Sequence, residues 1–188
     1  EFVGEKDHEH HAVELLEESQ ITHHIHLEEL SIHGFVGATQ SSAVITHSPT
    51  WDWTIRLNTI TDMSNGLIFG NRDASNQFIR ARIEQNAILR THGYALRIHR
   101  QVTRPTITGV PRASAVTLVK DNVFSRLPPP PNNITSKALV LLEHLPEAGF
   151  AENDSYNISG NFFYENSFTG QSLVEVSGNV HVHNNIFV

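Results

Sequence analysis

One phrase recurs along the chain and limits its fold more than any other feature. It consists of two residues two positions apart, usually apolar, an Asn three positions later, and a large apolar residue two positions after the Asn. The copies are Trp53-x-Ile55-x-x-Asn58-x-Ile60, Ala81-x-Ile83-x-x-Asn86-x-Ile88, Thr117-x-Val119-x-x-Asn122-x-Phe124, Tyr156-x-Ile158-x-x-Asn161-x-Phe163 and Val180-x-Val182-x-x-Asn185-x-Phe187. An earlier copy, Ile25-x-Leu27-x-x-Leu30-x-Ile32, has Leu in place of Asn. Because such units bury their apolar sides against neighbouring units, the repetition predicts a solenoid.

The spacing inside the phrase predicts strands, because apolar residues two positions apart lie on one side of a strand. An Asn side chain that lies over the same Asn of the next unit can bond both to the main chain and to its neighbour. The sequence therefore predicts a structural Asn stack, made of Asn58, Asn86, Asn122, Asn161 and Asn185.

A second phrase lies between the copies of the first, and it begins with a small residue followed by Val or Leu. Its copies are Ala12-Val13-Glu14-Leu15, Ala43-Val44-Ile45-Thr46, Gly66-Leu67-Ile68-Phe69, Ala95-Leu96-Arg97-Ile98, Ala138-Leu139-Val140-Leu141 and Ser172-Leu173-Val174-Glu175. Helix propensity alone favours a helix from Ala12 to Glu18. The register of the repeat predicts a strand there instead.

The order of strand, Asn turn, strand, loop and strand resembles the right-handed parallel β-helix of the pectate-lyase-like superfamily. In that family each coil has three short strands, and an Asn stack commonly occupies the tight turn between the second and the third. The resemblance implies an all-β fold, a right-handed parallel β-helix solenoid of about six coils with an internal Asn stack. The superfamily includes polysaccharide lyases, glycosidases, epimerases, phage tailspikes and non-catalytic surface proteins. The resemblance therefore implies a fold but does not distinguish between these functions.

The composition and the ends of the chain limit the classes of protein that fit the sequence. The 188 residues are expected to form a single domain, 1–188, which is a fragment of a longer solenoid because the chain stops directly after the last phrase. The sequence has no Cys and therefore no disulfide framework. Its net charge of −7, with scattered basic residues, argues against nucleic acid. No apolar run approaches the roughly 18 residues of a membrane span.

Three segments depart from the minimal repeat and are predicted to be long loops, near 101–114, 126–136 and 145–155. The second contains the polyproline run 128–131, which cannot pair in a sheet. Three N-glycosylation patterns cluster near these loops, at Asn133, Asn153 and Asn157. The cluster favours an extracellular or cell-surface protein, either secreted or an ectodomain fragment.

The resemblance also implies where a ligand groove would lie, because catalytic groups in the family usually project from the first strand of several coils. Those strand ends carry His47, Asn71, Arg72, Asp73, His99, Arg100, Glu143 and His144. A lyase or epimerase needs a base and a cation to neutralise a uronate carboxylate. His99 or His47 could be the base, and Arg72 or Arg100 the cation. Calcium-binding Asp clusters and a paired Asp-Asp are not evident.

The 13 histidines include close groups, among them His23, His24 and His26. No zinc motif such as HExxH accompanies them, and we expect neither a metal site nor a cofactor. A column of charged residues is predicted to stack with alternating sign, in the order Glu28, Arg56, Glu84 and Lys120.

Two functions fit these features. The first is an extracellular β-helix repeat module that recognises carbohydrate or protein in adhesion and is non-catalytic in this fragment. The alternative is a carbohydrate-active enzyme, a polysaccharide lyase, epimerase or glycosidase, acting on an acidic polysaccharide. The expected partner is a polysaccharide, a glycan or another surface protein. We expect no direct membrane insertion, and end-to-end self-association would be compatible with open strand edges.

Overall fold

The chain forms parallel β-sheets throughout the part that the structure describes. This computed structural model describes residues 1–4, 10–15, 22–36, 41–70, 78–99, 116–127, 138–143, 155–164 and 172–188. These residues form 22 strands, numbered β1 to β22 along the chain, and none of them lies in a helix. The prediction of an all-β, parallel fold is confirmed.

Two six-stranded sheets contain the second phrase and the first half of the Asn phrase. The first sheet contains, in spatial order, β2 (His11–Leu15), β6 (Ser42–Thr46), β10 (Asn65–Phe69), β14 (Leu96–Ile98), β17 (Val140–Leu142) and β20 (Val174–Val176). The second sheet contains β4 (His26–Glu28), β8 (Thr54–Arg56), β12 (Arg82–Glu84), β15 (Val116–Lys120), β18 (Ser155–Ser159) and β21 (Val180–His183). The strand predicted at Ala12 is thus present, as part of β2.

Two further sheets complete the architecture. The seven-stranded third sheet, which follows the Asn turns, contains β1 (Phe2–Val3), β5 (Ser31–His33), β9 (Thr59–Met63), β13 (Ala87–Thr91), β16 (Val123–Arg126), β19 (Phe162–Tyr164) and β22 (Ile186–Phe187). A short three-stranded sheet, absent from the sequence prediction, contains β3 (Thr22–His23), β7 (Thr50–Trp51) and β11 (Phe78–Ile79).

Equivalent strands of successive repeats lie side by side. Val44 of β6 is paired with Leu67 of β10, which is in turn paired with Leu96 of β14. Neighbouring parallel strands lie about 4.8 Å apart, so each residue of the phrase stacks on its equivalent in the next repeat. This stacking places side chains from distant parts of the chain in columns.

The inward side chains of the first, second and third sheets form one buried apolar cluster. Its third-sheet column is fully buried at Ile60, Ile88, Phe124 and Phe163. The rings of Phe124 and Phe163 stack with centroids 5.2 Å apart and planes 20° apart. Space is limited at the start of one copy of the second phrase: a Cβ added at Gly66 would lie 2.3 Å from the carbonyl oxygen of Ala95.

The five Asn side chains form a continuous hydrogen-bonded stack between the second and third sheets. Each Nδ2 donates to the Oδ1 of the next Asn, over distances of 2.9 to 3.0 Å from Asn58 to Asn185. The same Oδ1 also accepts the main-chain N–H of the preceding Asn, as Asn122 does from Asn86 at 2.9 Å. Each Nδ2 further donates to a carbonyl of the preceding repeat, as Asn122 does to Ile83 at 2.8 Å. The amides therefore satisfy the main-chain N–H at the turns from Leu30 to Asn161.

The residue before each Asn of the stack, and before Leu30 at the equivalent position, adopts a left-handed main-chain conformation. These residues are Glu29, Leu57, Gln85, Asp121, Gly160 and Asn184, with φ between 55° and 68°. Such a φ is unfavourable for most side chains. The Asn hydrogen bonds on both sides fix the turn, so the position accepts Glu, Leu and Gln although these residues do not favour it.

The predicted charge column has the expected order in the second sheet. Glu28 is paired with Arg56, Arg56 with Glu84 and Glu84 with Lys120. Arg56 contacts Glu28 at 3.0 Å, whereas Glu84 contacts Arg82 at 3.1 Å and Lys120 contacts Asp121 at 3.4 Å. The alternating register is therefore present, but Glu84 and Lys120 also make contacts within their own repeats.

Insertions between repeats leave this register intact. Bonded Asn residues are 28 positions apart at the start of the stack, then 36, 39 and 24. Residues 101–114 lie outside the described residues, as do 128–136 and 145–154. The predicted loops in those segments, and the extent of the domain, stay predictions.

Candidate functional site

The carboxyl edge of the first sheet carries the candidate site. Beyond the last residue of successive strands lie His47, Gly70, His99 and Glu143. Their main chains are fixed by the sheet, since His47 N–H donates to Leu15 O at 2.9 Å and His99 N–H donates to Phe69 O at 2.8 Å. Glu143 N–H continues the series to Ile98 O at 2.9 Å. This column follows directly from the stacking of the second phrase.

A charged network lies at the centre of this edge. Arg97 donates from Nε and Nη2 to Oε2 of Glu143, at 3.0 and 2.8 Å. Nδ1 of His99 lies 3.3 Å from the same oxygen. The His99 side chain is 8% exposed and that of Glu143 is 30% exposed, so solvent reaches the carboxylate more readily than the imidazole. We call these three residues the Arg97 network.

An aromatic ring lies beside the Arg97 network, and a contact between a His and a Glu lies further along the same edge. The guanidinium carbon of Arg97 lies 4.9 Å from the ring centroid of Tyr94, within cation–π distance. Further along the edge, Nε2 of His47 lies 3.7 Å from Oε1 of Glu14. Strands β6 and β14 are separated by β10, so His47 and His99 are about 10 Å apart along the column, across Gly70.

The structure brings together part of the predicted groove. His99 and Glu143 lie in contact, and His47 lies on the same edge, two strands away from His99. Five other predicted groove residues lie outside the described residues: Asn71, Arg72, Asp73, Arg100 and His144. The two cations proposed for uronate binding, Arg72 and Arg100, are among them.

Sequence reasoning missed Arg97, which is the cation that binds Glu143. The sequence pattern does indicate that Arg97 faces outward, because Arg97 lies between Leu96 and Ile98, both of which are buried. A polar residue between two buried ones in a strand faces outward. In the register of the first sheet, Arg97 is a neighbour of Leu141 and lies diagonally from Glu143.

The histidines near residue 24 contact one another, an aromatic ring and nearby carboxylates. The Nδ1 atoms of His23 and His24 lie 2.5 Å apart, and the ring of His23 stacks on Trp51 with centroids separated by 5.0 Å. His24 Nε2 lies 3.6 Å from Asp52, and His26 Nδ1 lies 3.3 Å from Glu28. Within the described ranges, no group of three or more His, Asp or Glu side chains is arranged to hold a metal ion.

One candidate glycosylation site lies in a described strand. Asn157 is half-buried in β18, and its Oδ1 lies 3.2 Å from Nε2 of His183 in the adjacent strand. Asn133 and Asn153 lie outside the described residues. Their use as acceptors stays a prediction.

Comparison with known proteins gives no family for this chain. No protein-family model, no curated protein and no solved structure matches it. Among the described residues there is no helix long and apolar enough to cross a membrane.

Proposed function

We propose that the chain is a right-handed parallel β-helix of about six coils, of the pectate-lyase-like kind, that acts as an extracellular recognition module for carbohydrate. The order of the strands supports the fold, since each repeat contributes to the same sheets in the same sequence. Such a stack presents extended rows of side chains at fixed spacing. A row of this kind suits an extended polymer better than a small compact ligand.

The Arg97 network is the observation that carries the carbohydrate proposal. Arg97 offers a planar set of donors, and Glu143 offers acceptor capacity at a half-exposed position. Tyr94 adds an aromatic ring beside them. Sugar hydroxyls need donors and acceptors held in place, and sugar C–H faces pack on aromatic rings. Within the described residues, the ion pairs orient these groups before any ligand arrives.

A glycan array with the full chain tests this proposal. Arg97→Gln keeps much of the side-chain volume but removes the charge, and we expect it to weaken binding about tenfold, which corresponds to about 1.4 kcal/mol. Arg56→Gln is the matched control, because Arg56 also contacts a Glu but lies on the second sheet. An unchanged affinity in Arg97→Gln, or an equal loss in Arg56→Gln, would contradict the proposed site.

A second candidate function, lyase or epimerase activity, is favoured by one contact. The approach of His99 Nδ1 to Glu143 at 3.3 Å is the arrangement in which a carboxylate orients an imidazole that acts as a base. A coupled assay on acidic polysaccharides distinguishes the two functions. Turnover that falls about 100-fold or more in His99→Gln would favour the enzyme. Binding without turnover would favour the recognition module.

A further inference from the structure

Two consecutive imidazole rings face each other beside the three-stranded sheet. His23 is the last residue of β3, and His24 follows it directly. Side chains of consecutive residues in a strand face opposite sides, so the sequence pattern does not predict this contact. His24 has a φ of 56°, a left-handed conformation that departs from the strand and turns its ring toward His23. The two Nδ1 atoms lie 2.5 Å apart, with the ring planes at 81°. We call these residues the His23–His24 pair.

The outer nitrogen of His24 faces a carboxylate that is itself held in place. Nε2 of His24 lies 3.6 Å from Oδ2 of Asp52. Asp52 is largely buried, and its two carboxylate oxygens accept hydrogen bonds from Nε and Nη2 of Arg80. The carboxylate favours a hydrogen on Nε2, which leaves the lone pair of His24 on Nδ1. Histidines that bind metal ions commonly have such a carboxylate on the nitrogen that does not bind.

The ring of His23 is oriented by an aromatic neighbour. His23 is paired with Trp51 in the three-stranded sheet, and the two rings stack with centroids 5.0 Å apart and planes 21° apart. Trp51 is only 6% exposed, so it offers a fixed surface to the imidazole. The packing on Trp51 and the Asp52 contact therefore leave the Nδ1 atoms of both histidines directed at the same place.

The separation of these two nitrogen atoms indicates which class of ion fits. Bonds between a metal ion and imidazole are about 2.0 Å long. Two such bonds to atoms 2.5 Å apart enclose an angle of about 77° at the ion. The 90° angle of a tetragonal ion needs a separation of about 2.8 Å, and the tetrahedral angle of zinc needs about 3.3 Å. The smaller rearrangement, and the order of affinities among divalent ions, both favour copper(II).

The two imidazoles would supply two of the four equatorial ligands of a tetragonal ion. Among the residues that the structure describes, no third His, Asp or Glu is arranged to join them. Water or a small ligand therefore takes the remaining positions. The side chain of His24 is 67% exposed, so a hydrated ion can approach from solvent. The neighbouring His26 is engaged elsewhere, because its Nδ1 lies 3.3 Å from Glu28.

We propose that the His23–His24 pair is a copper(II) site in which both Nδ1 atoms bind the ion. Asp52 acts through His24 as a positioning residue. This inference does not depend on the carbohydrate proposal, because the pair lies on the three-stranded sheet and the Arg97 network lies on the first sheet.

The test titrates copper(II) into the full chain, with glycine as a competing ligand, and follows binding by calorimetry and electron paramagnetic resonance. The variants are His23→Gln and His24→Asn, the second because Asn tolerates a left-handed φ. His183→Gln is the matched control, since His183 is also an exposed histidine but contacts Asn157 on the second sheet. Far-ultraviolet circular dichroism shows whether each variant folds.

We expect one copper(II) per chain, with hyperfine coupling to two imidazole nitrogens. Its affinity should fall at least tenfold in His23→Gln and His24→Asn and stay unchanged in His183→Gln. Asp52→Asn should weaken it about tenfold, the lower end of the effect of such second contacts.

Four results would contradict the proposal. Unchanged affinity in His24→Asn, or an equal loss in His183→Gln, would overturn the site. Coupling to fewer than two nitrogens in the unsubstituted chain would overturn it even if a variant failed to fold. Full affinity in Asp52→Asn would overturn the positioning role, and tighter binding of zinc(II) than of copper(II) would overturn the choice of ion.

Discussion

Asn122 is the position at which the role of the Asn stack can be measured most directly. Asn122→Ala removes an Oδ1 that accepts from Asn86 N and Nδ2, and an Nδ2 that donates to Ile83 O and Asn161 Oδ1. Asn122 is fully buried, so water cannot readily replace these bonds. Three groups that lose a partner, Asn86 N–H, Asn86 Nδ2 and Ile83 O, cost about 1 kcal/mol or more each. We expect a loss of about 3–5 kcal/mol in the free energy of unfolding.

Urea unfolding followed by far-ultraviolet circular dichroism measures this loss. Asn185→Ala is the matched control, because Asn185 makes equivalent bonds but is only partly buried. Water can replace its partners, so we expect a loss of about 1 kcal/mol or less. The slope against urea must be compared between variants, since repeat proteins can unfold in parts.

The reasoning would be refuted if Asn122→Ala cost less than about 1 kcal/mol, or no more than Asn185→Ala at an unchanged slope. Either result would mean that the amides of the stack contribute little beyond their solvation in the unfolded chain. The turns would then be held by strand pairing and apolar packing alone.

Three further predictions concern other columns. Leu57 has a φ of 57° and a 45% exposed side chain, so Leu57→Asn should raise the free energy of unfolding by about 0.5–1 kcal/mol, and a decrease in a melting experiment would contradict this. Gly66→Ala places a Cβ against the Ala95 carbonyl and should cost about 1–3 kcal/mol or more in urea unfolding, whereas wild-type stability would show that the strands can separate locally. Hydrogen bonds from Arg56, and then from His26, hold the pKa of Glu28 below its ordinary value of 4.5, so the stabilisation is present above that value and is lost as the pH falls through the folded pKa. In Arg56→Gln the carboxyl resonance of Glu28 should titrate at a higher pH, and an unchanged titration would exclude Arg56 as the cause.

The sequence alone predicted the strands of the two phrases and their parallel, all-β arrangement. This was possible because period-two alternation is a local property, and a repeated phrase in register implies that equivalent strands are neighbours. The Asn positions were informative for a related reason. A buried amide that recurs at one position of an apolar repeat is expected to satisfy main-chain groups there. The closed solenoid, its handedness and the number of its coils stay predictions.

Other features were beyond sequence reasoning for physical reasons. Strands β3, β7 and β11 have two residues each, which is too short to show any period. The left-handed position before each Asn is filled by residues as different as Leu57, Gln85 and Gly160, so no propensity identifies it. The contact between Arg97 and Glu143 joins residues 46 positions apart. It depends on the number of residues in the insertion between the two strands, which the sequence pattern does not determine.

The Asn stack also has a direction. From Asn58 to Asn185 every side-chain amide donates in the same sense along the stack, so the amide dipoles align head to tail. Each bond in such a row polarises its neighbours and strengthens them. Neighbouring amides are also coupled directly: Asn86 and Asn122 share a hydrogen bond, so removing both should cost less than the sum of the two separate losses. The row also places its positive pole at Asn185, its last member among the described residues.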